Sequence, residues 1–298
     1  MPHDHSHGHH LDPGAGDRRV MAAVAVNVLL TVAQIVGGII SGSMALIADA
    51  IHNFSDAISL IVAFVARRVG RRPADARMTF GYGRAEVVAA LVNYTSLTVI
   101  ALYLVYEGVA RLIDPPEVQG WIVVILAGVA LAVDAVTAAL TYSMSKTSMN
   151  IRAAFLHNLA DALSSLAVIV AGTLIILYDW RLVDPIVTLG ISAYILWHVG
   201  REILPVIRVL MLGSPVGTAR EDVRRAIETT EGVVGVHHIH LWEIDEGRRS
   251  VEAHVVVTRL DSFPAIAERI KAMLRDRFGI GHSTLQPETP STGCPDGG

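Results

Sequence analysis

Two stretches decide the reading of this chain: His52-Asn53-Phe54-Ser55-Asp56-Ala57-Ile58-Ser59 and His157-Asn158-Leu159-Ala160-Asp161-Ala162-Leu163-Ser164. They share His, Asn, Asp, Ala and Ser at the same offsets, and each lies inside a long apolar segment. An Asp at the centre of a membrane-spanning helix costs about 2.5–3.5 kcal/mol on the biological insertion scale. Such a residue is expected to face a partner, a cavity or an ion rather than lipid. In each octamer His and Asp are four positions apart, which on a helix stacks them on one face with Cβ atoms about 5–6 Å apart. Two such helices packed about 8–10 Å apart can bring two imidazoles and two carboxylates together. Zn²⁺ takes four nitrogen or oxygen ligands at about 2.0–2.2 Å, so His52, Asp56, His157 and Asp161 have the right number and kind. The absence of sulfur argues against copper(I). A hydrogen bond bracing a helix bundle would explain one isolated pair as well as a ligand does. The repetition in two apolar helices favours two halves of one site, placed near mid-membrane as in transporters built from repeats.

Working outward, the chain has 298 residues, 52% hydrophobic and 17% charged, with a mean hydropathy of +0.48. Soluble domains carry about 25% charge, so much of this chain faces something other than water. Neither Val20–Ala48 nor Val87–Tyr106 contains Asp, Glu, Lys or Arg, and a bilayer core needs about 20 such residues per helix. Six apolar segments are predicted, at roughly 18–41, 44–68, 81–111, 118–145, 150–178 and 184–212. Ser41-Gly42-Ser43, Asp114-Pro115-Pro116 and Asp184-Pro185 punctuate them. The link between segments two and three holds Arg67, Arg68, Arg71, Arg72, Arg77 and Arg84; Lys146 and Arg152 flank the link between four and five. The positive-inside rule then puts both termini in the cytoplasm, an orientation that six spans satisfy.

Beyond Pro215 the pattern becomes that of a soluble domain. Helix, strand, strand, helix and strand are expected at 218–231, 233–244, 250–258, 263–278 and 283–286. The fold class is therefore an α-helical membrane protein with six transmembrane helices and a small cytoplasmic α+β domain of order α-β-β-α-β. The expected divisions are a His-rich tail (1–17), a membrane domain (18–212), the α+β domain (213–288) and a disordered tail (289–298). Cys294 is the sole cysteine, so no intrachain disulfide can form. No nucleic-acid partner is expected.

Other polar residues carry weaker signals. Asp134, midway along segment four, is a candidate for a proton pathway. His198 and Glu202 are four apart, but Glu202 adjoins Arg201 and suggests an interfacial ion pair. Asp49 is expected at the membrane boundary, and Asn27 and Gln34 as interhelical hydrogen-bonding groups. Gly37, Gly38 and Gly42 would permit close helix contacts. His3, His5, His7, His9 and His10 form a flexible tract suited to collecting metal.

At this point the residues match a family. The two His-x-x-x-Asp helices, Phe80-Gly81-Tyr82-Gly83-Arg84-Ala85-Glu86 and His237-His238-Ile239-His240-Leu241-Trp242 together resemble the cation diffusion facilitators, and most closely their bacterial zinc-type members. The resemblance spans about residues 15 to 288. It implies six transmembrane helices, a cytoplasmic metallochaperone-like (ferredoxin-like) domain, a homodimer, and exchange of a divalent metal for protons. It also implies a transport site at His52, Asp56, His157 and Asp161, with His at the first position as in the zinc-preferring branch. His237, His254 and Glu288 become candidate ligands of a cytoplasmic site binding Zn²⁺ as a regulatory ligand. Gln286 stands where some relatives have a ligating His, and His282 is the residue that could compensate. Simple strand alternation puts His237 and His240 on opposite faces. Met78 and Tyr82 stand where some relatives carry loop histidines, so Asp75 remains alone and no metal site is expected there. Leu212 stands where relatives often have an acid, which leaves a charge interlock through Arg84 without its partner.

The expected activity is proton-coupled export of Zn²⁺, with Cd²⁺, Co²⁺ or Ni²⁺ as further substrates. Metal binding to neutral imidazole and ionised carboxylate displaces protons, and His titrates near physiological pH. The alternatives are an intramembrane metalloenzyme or a metal sensor that does not transport. No His-Glu-x-x-His is present, and the four ligands leave no open coordination position for hydrolysis, so an enzyme is not expected.

Overall fold

The computed structural model describes residues 28–145, 149–245 and 247–291. The His-rich tract and residues 292–298 lie outside them. So do the side chains of Asp56 and His157, whose backbones are helical. Among the described residues six helices come first: α1 (Val28–Ser41), then α2 (Met44–Gly70), α3 (Ala85–Ile113), α4 (Gly120–Ser145), α5 (Met149–Tyr178) and α6 (Val183–Leu210). Four of them, α3 to α6, contain described stretches long and apolar enough to cross a membrane, yet only 22–44% of those stretches is buried within the protein. Tyr106, Trp121, Ile125, Leu163 and Leu177 are all well exposed. Apolar residues on every face of a long helix are what lipid contact requires.

The helix ends follow from local chemistry. Gly42 turns the chain between α1 and α2 at φ +76°, and a Cβ there would lie 2.6 Å from the Glu117 carbonyl oxygen. Ser43 caps α2, accepting from the Leu46 N–H at 3.1 Å. Pro185 occupies the first turn of α6, where its missing N–H leaves no gap in the hydrogen-bond ladder. The preceding Asp184 is almost fully buried and reaches back to the start of α2. It accepts from Ser43 Oγ at 2.5 Å, the Met44 N–H at 2.9 Å and the Ala45 N–H at 3.3 Å. One carboxylate thus meets orphan donors that a helix start always exposes.

Small residues set two of the close approaches. A Cβ on Gly120 of α4 would meet the Gly172 carbonyl of α5 at 2.6 Å, and one on Gly172 would meet the Gly120 carbonyl at 3.2 Å. A Cβ on Gly37 of α1 would meet the flexible Leu126 side chain of α4 at 1.9 Å and Ile122 at 3.6 Å. A Cβ on Gly38 would meet Ile47 at 2.5 Å, so the close contacts expected at Gly37, Gly38 and Gly42 have a counterpart at Gly120 and Gly172 of α4 and α5.

The tail contains α7 (Arg220–Glu228), β1 (Val233–Asp245), β2 (Arg248–Val257), α8 (Phe263–Phe278) and β3 (Ile280–Glu288). β2 is central, antiparallel to β1 and parallel to β3. A parallel neighbour needs a crossover connection, which α8 supplies. Val223 and Ile227 of α7, Ile266, Ile270 and Leu274 of α8, and Val251, Ala253 and Val255 of β2 form one dry core. The opposite face of the sheet carries no helix from this core and presents His237, His240, Glu252 and His254. Gly279, at φ +66°, ends α8 in the left-handed conformation usual after a helix.

By internal contacts the chain divides into two compact units, Met1–Ile61 with Ser96–Val199 and Val62–Thr95 with Gly200–Gly298. The division passes through α2, α3 and α6. The first unit holds the octamer helices; the second holds the Arg-rich link and the tail.

Candidate metal centres

The first centre lies between α2 and α5. His52 and Asp161 are both buried, and His52 Nε2 stands 3.3 Å from Asp161 Oδ1. One ligand candidate from each octamer is thus in contact, across two helices. Asp56 and His157 follow and precede them by four residues on the same helices, with side chains outside the described ones. Tyr194 of α6 meets the edge of the His52 ring, centroids 5.9 Å apart at 78°. It also stacks on His198, at 6.3 Å and 17°. His198 therefore belongs to an aromatic run leading from His52, a link its spacing from Glu202 concealed. Asp134 is half-buried in the middle of α4.

Asp49 carries a role beyond its expected place. Expected at the membrane boundary, it is 1% exposed within the protein and serves as a hydrogen-bonding hub that its position does not announce. Its carboxylate accepts from Gln34 Nε2 at 3.0 Å, Ser164 Oγ at 2.6 Å and Ser165 Oγ at 3.1 Å. This cluster ties α1, α2 and α5 together one turn from His52. Ser164 is the last residue of the second octamer, so the repeated Ser serves a hydrogen bond beside the site. Gln34 does make the interhelical bond expected of it.

The second centre is on the open face of the tail sheet. His237 Nε2 lies 3.1 Å from Glu288 Oε2, and His254 Nδ1 lies 2.7 Å from Glu288 Oε1. The candidate ligand atoms of all three residues lie within 4.8 Å of one another. Register explains the meeting. His237 pairs with His254 across β1 and β2, and Glu288 stands on the same face of β3, two residues beyond the Gln286 that pairs with His254. His254 and Glu288 are buried, with His237 half-buried above them. His282 is not brought there. It pairs with Ser250, four residues away along β2, and its ring packs on Phe80 at 5.7 Å.

A further correction concerns strand parity. Between His237 and His240, β1 advances three residues while β2 advances two, from His254 to Glu252. The extra residue, His238, has φ +49°. Such a bulge reverses the alternation beyond it, so Val236, Ile239 and Leu241 all face the core. His237 and His240 consequently share the open face, contrary to simple alternation. His238 fills the space between them, its ring 4.7 Å from those of both His240 and His254.

The Arg-rich link uses its polar groups internally. Asp75 accepts from the Arg77 and Met78 N–H groups at 2.8 Å each and from Tyr82 Oη at 2.7 Å. The Tyr82 hydroxyl, first, and then the two backbone donors hold the Asp75 carboxyl below the ordinary carboxylate range. Arg84 donates to the Ile244 carbonyl at 2.7 Å and to that of Glu243 at 3.4 Å.

Comparison with known proteins gives the family. The family model described as the cation efflux transmembrane domain matches residues 20–211, and that of the cation efflux protein cytoplasmic domain matches 215–290. The chain is 33% identical to a cadmium, cobalt and zinc/H⁺-K⁺ antiporter of Bacillus velezensis, over 97% of this chain and 92% of the relative. Identity is 32% to the metal cation efflux system protein CzcD of Cupriavidus metallidurans (95% and 89%) and 33% to the zinc transporter ZitB of Escherichia coli (99% and 95%). The solved metal-bound C-terminal domain of the CzcD transporter is 33% identical, covering 24% of this chain and 99% of that one with a TM-score of 0.23. The chain is a multi-pass membrane transporter, not an enzyme, and belongs to the cation efflux family, the cation diffusion facilitators.

Proposed function

We propose that this protein exports Zn²⁺ from the cytoplasm in exchange for protons, with Cd²⁺ and Co²⁺, and by the same ligand chemistry Ni²⁺, as further substrates. The observation that carries the reading is the buried approach of His52 Nε2 to Asp161 Oδ1 across α2 and α5. Neither residue is at home in a membrane interior without a charge or ion to face. Asp56 and His157, four positions along the same helices, complete a two-nitrogen, two-oxygen set of the kind tetrahedral Zn²⁺ takes. The printed functions of the relatives, a cadmium, cobalt and zinc/H⁺-K⁺ antiporter and a zinc transporter, point the same way.

Every one of the four ligands can carry a proton, so protons and metal compete for one site. Loading from the cytoplasm displaces protons; reorientation and protonation from the outer side release the ion. Asp134 serves the proton pathway. In this reading the protein is an inner-membrane homodimer with both termini cytoplasmic, and residues 18–212 and 213–288 are its membrane and cytoplasmic domains. The tract at His3 to His10 gathers metal, and His237, His254 and Glu288 hold a regulatory Zn²⁺.

Zinc flux into proteoliposomes, with and without an imposed pH gradient, tests this. Flux should follow the gradient and vanish in His157→Ala and His52→Ala while the protein stays folded. Flux indifferent to the gradient would remove the exchange with protons. Persistent flux in both variants would remove the site.

A further inference from the structure

We infer that His238 and His240 bind a second divalent cation in the tail, distinct from the one held by His237, His254 and Glu288. Three features converge on this pair. The first is its spacing: His238 Nε2 and His240 Nε2 lie 3.2 Å apart. Two nitrogens on one tetrahedral Zn²⁺, each at about 2.0–2.1 Å, stand about 3.3–3.4 Å from each other. Little rearrangement is needed to place an ion between them.

The second is the backbone that creates the spacing. His238 is the added residue of the bulge and sits at φ +49°, a region few residues other than glycine occupy. On a regular strand His238 and His240, two residues apart, share a face, but the one opposite His237. The bulge moves the pair onto the open face beside His237 and His254, and bulges that re-aim a side chain cluster beside functional sites.

The third is the next donor. Glu252 is the cross-strand partner of His240 and shares its face, at the Cβ separation of about 4.5–5.5 Å that such partners have. His240 and Glu252 line the same open cavity of about 500 Å³, with Arg220 as the cation facing it. Among the described residues the Glu252 carboxylate has no ion pair or side-chain hydrogen bond. Two imidazoles, a carboxylate and a water make a borderline-ion site of the type that suits Zn²⁺, Co²⁺ or Ni²⁺. Among the described residues the one group of three with ligand atoms within 4.8 Å of one another is His237, His254 and Glu288, so Glu252 joins the His238–His240 pair by a side-chain rotation, and the two ions would be neighbours on one sheet face.

The test counts tightly bound Zn²⁺ per chain by equilibrium dialysis of the full-length protein in detergent. The background carries Ala at His3, His5, His7, His9 and His10, which removes the N-terminal tract. His238→Asn/His240→Asn should lose one equivalent, His237→Asn/His254→Asn a different one, and the combined variant two. An unchanged count in His238→Asn/His240→Asn overturns the inference. So does a combined variant that loses only one equivalent, because the histidines would then share one ion. Glu252→Gln leaves all four imidazoles in place and covers misfolding of the Asn variants. It should weaken one equivalent at least tenfold and leave the others untouched; no change in any equivalent refutes the site as built. His52→Ala, which tests the transport reading, should remove the membrane equivalent and leave both tail equivalents.

Discussion

Asp184 offers the sharpest test of how this membrane domain is held together. Its carboxylate, almost fully buried, accepts from Ser43 Oγ, Met44 N and Ala45 N at 2.5, 2.9 and 3.3 Å. Asp184→Ala leaves two backbone N–H groups and a hydroxyl without their acceptor at the start of α2. Each buried donor so orphaned costs about 1–3 kcal/mol. The 3.3 Å bond counts least, and water entering the vacated volume recovers part of the loss. The sum is about 3–5 kcal/mol. At about 2–4 °C per kcal/mol for a domain of this size, the melting temperature should fall by roughly 10 °C. Asp184→Asn keeps one acceptor oxygen but loses the negative charge at a helix N-terminus, which is worth about 0.3–2 kcal/mol. It should fall between wild type and Ala. Ser43→Ala removes one of the three donors together with the α2 cap, so the double variant should be less unstable than the two losses added. Thermal unfolding of the detergent-solubilised protein, followed by tryptophan fluorescence at one scan rate, reads all four variants. An Ala variant within about 2 °C of wild type, an Asn variant as unstable as Ala, or strict additivity with Ser43→Ala would each refute the reasoning.

Three further outcomes follow from other parts of the molecule. Asp49→Asn keeps the size of the hub beside His52 but turns an acceptor into a donor facing Ser164, Ser165 and Gln34. The hub ties α1, α2 and α5 together one turn from His52, so loosening it should displace His52 and raise the KM for Zn²⁺ uptake, by about tenfold where it acts as support around a metal site does. Leu274→Ala in the fully buried tail core should cost about 2–5 kcal/mol, read as lost hydrogen-exchange protection in β2 while the membrane helices keep theirs. Hydrogen bonds from Arg224, and then Arg225, hold Glu221 down at about 2. A depressed carboxylate contributes above its ordinary value and loses that contribution as pH falls through its folded one, here about 2. Carboxyl NMR should therefore show Glu221 charged well below pH 4 in the wild type, and its midpoint rising toward the ordinary carboxylate value in Arg224→Leu.

Much of the architecture is legible in the chain because lipid imposes so simple a rule. Uninterrupted apolar runs, broken at Gly42, Pro115-Pro116 and Pro185, place α2 to α6 to within a few residues. The tail is legible for a related reason: its strands and its amphipathic α8 have different hydrophobic periods. Within the candidate sites the i, i+4 spacing of His52 with Asp56 and of His157 with Asp161 is a local fact, and a helix converts it directly into a shared face.

What escaped the sequence depends on partners far along the chain. Asp49 and Asp184 look like residues at span ends, because nothing local says that Ser164, Ser165 and Gln34 surround the one or that the start of α2 meets the other. Tyr194 reads as one more aromatic in an apolar helix until α6 is set against His52. In the tail, alternation assumes that each strand advances in step with its neighbour. The bulge at His238 breaks that step, and no residue pattern announces it. The sequence by itself determined which residues can hold a metal, since ligand chemistry belongs to side chains and helical spacing to short range. Which of them meet was decided by the tertiary structure, because register, bulges and helix contacts are set by packing across the whole fold.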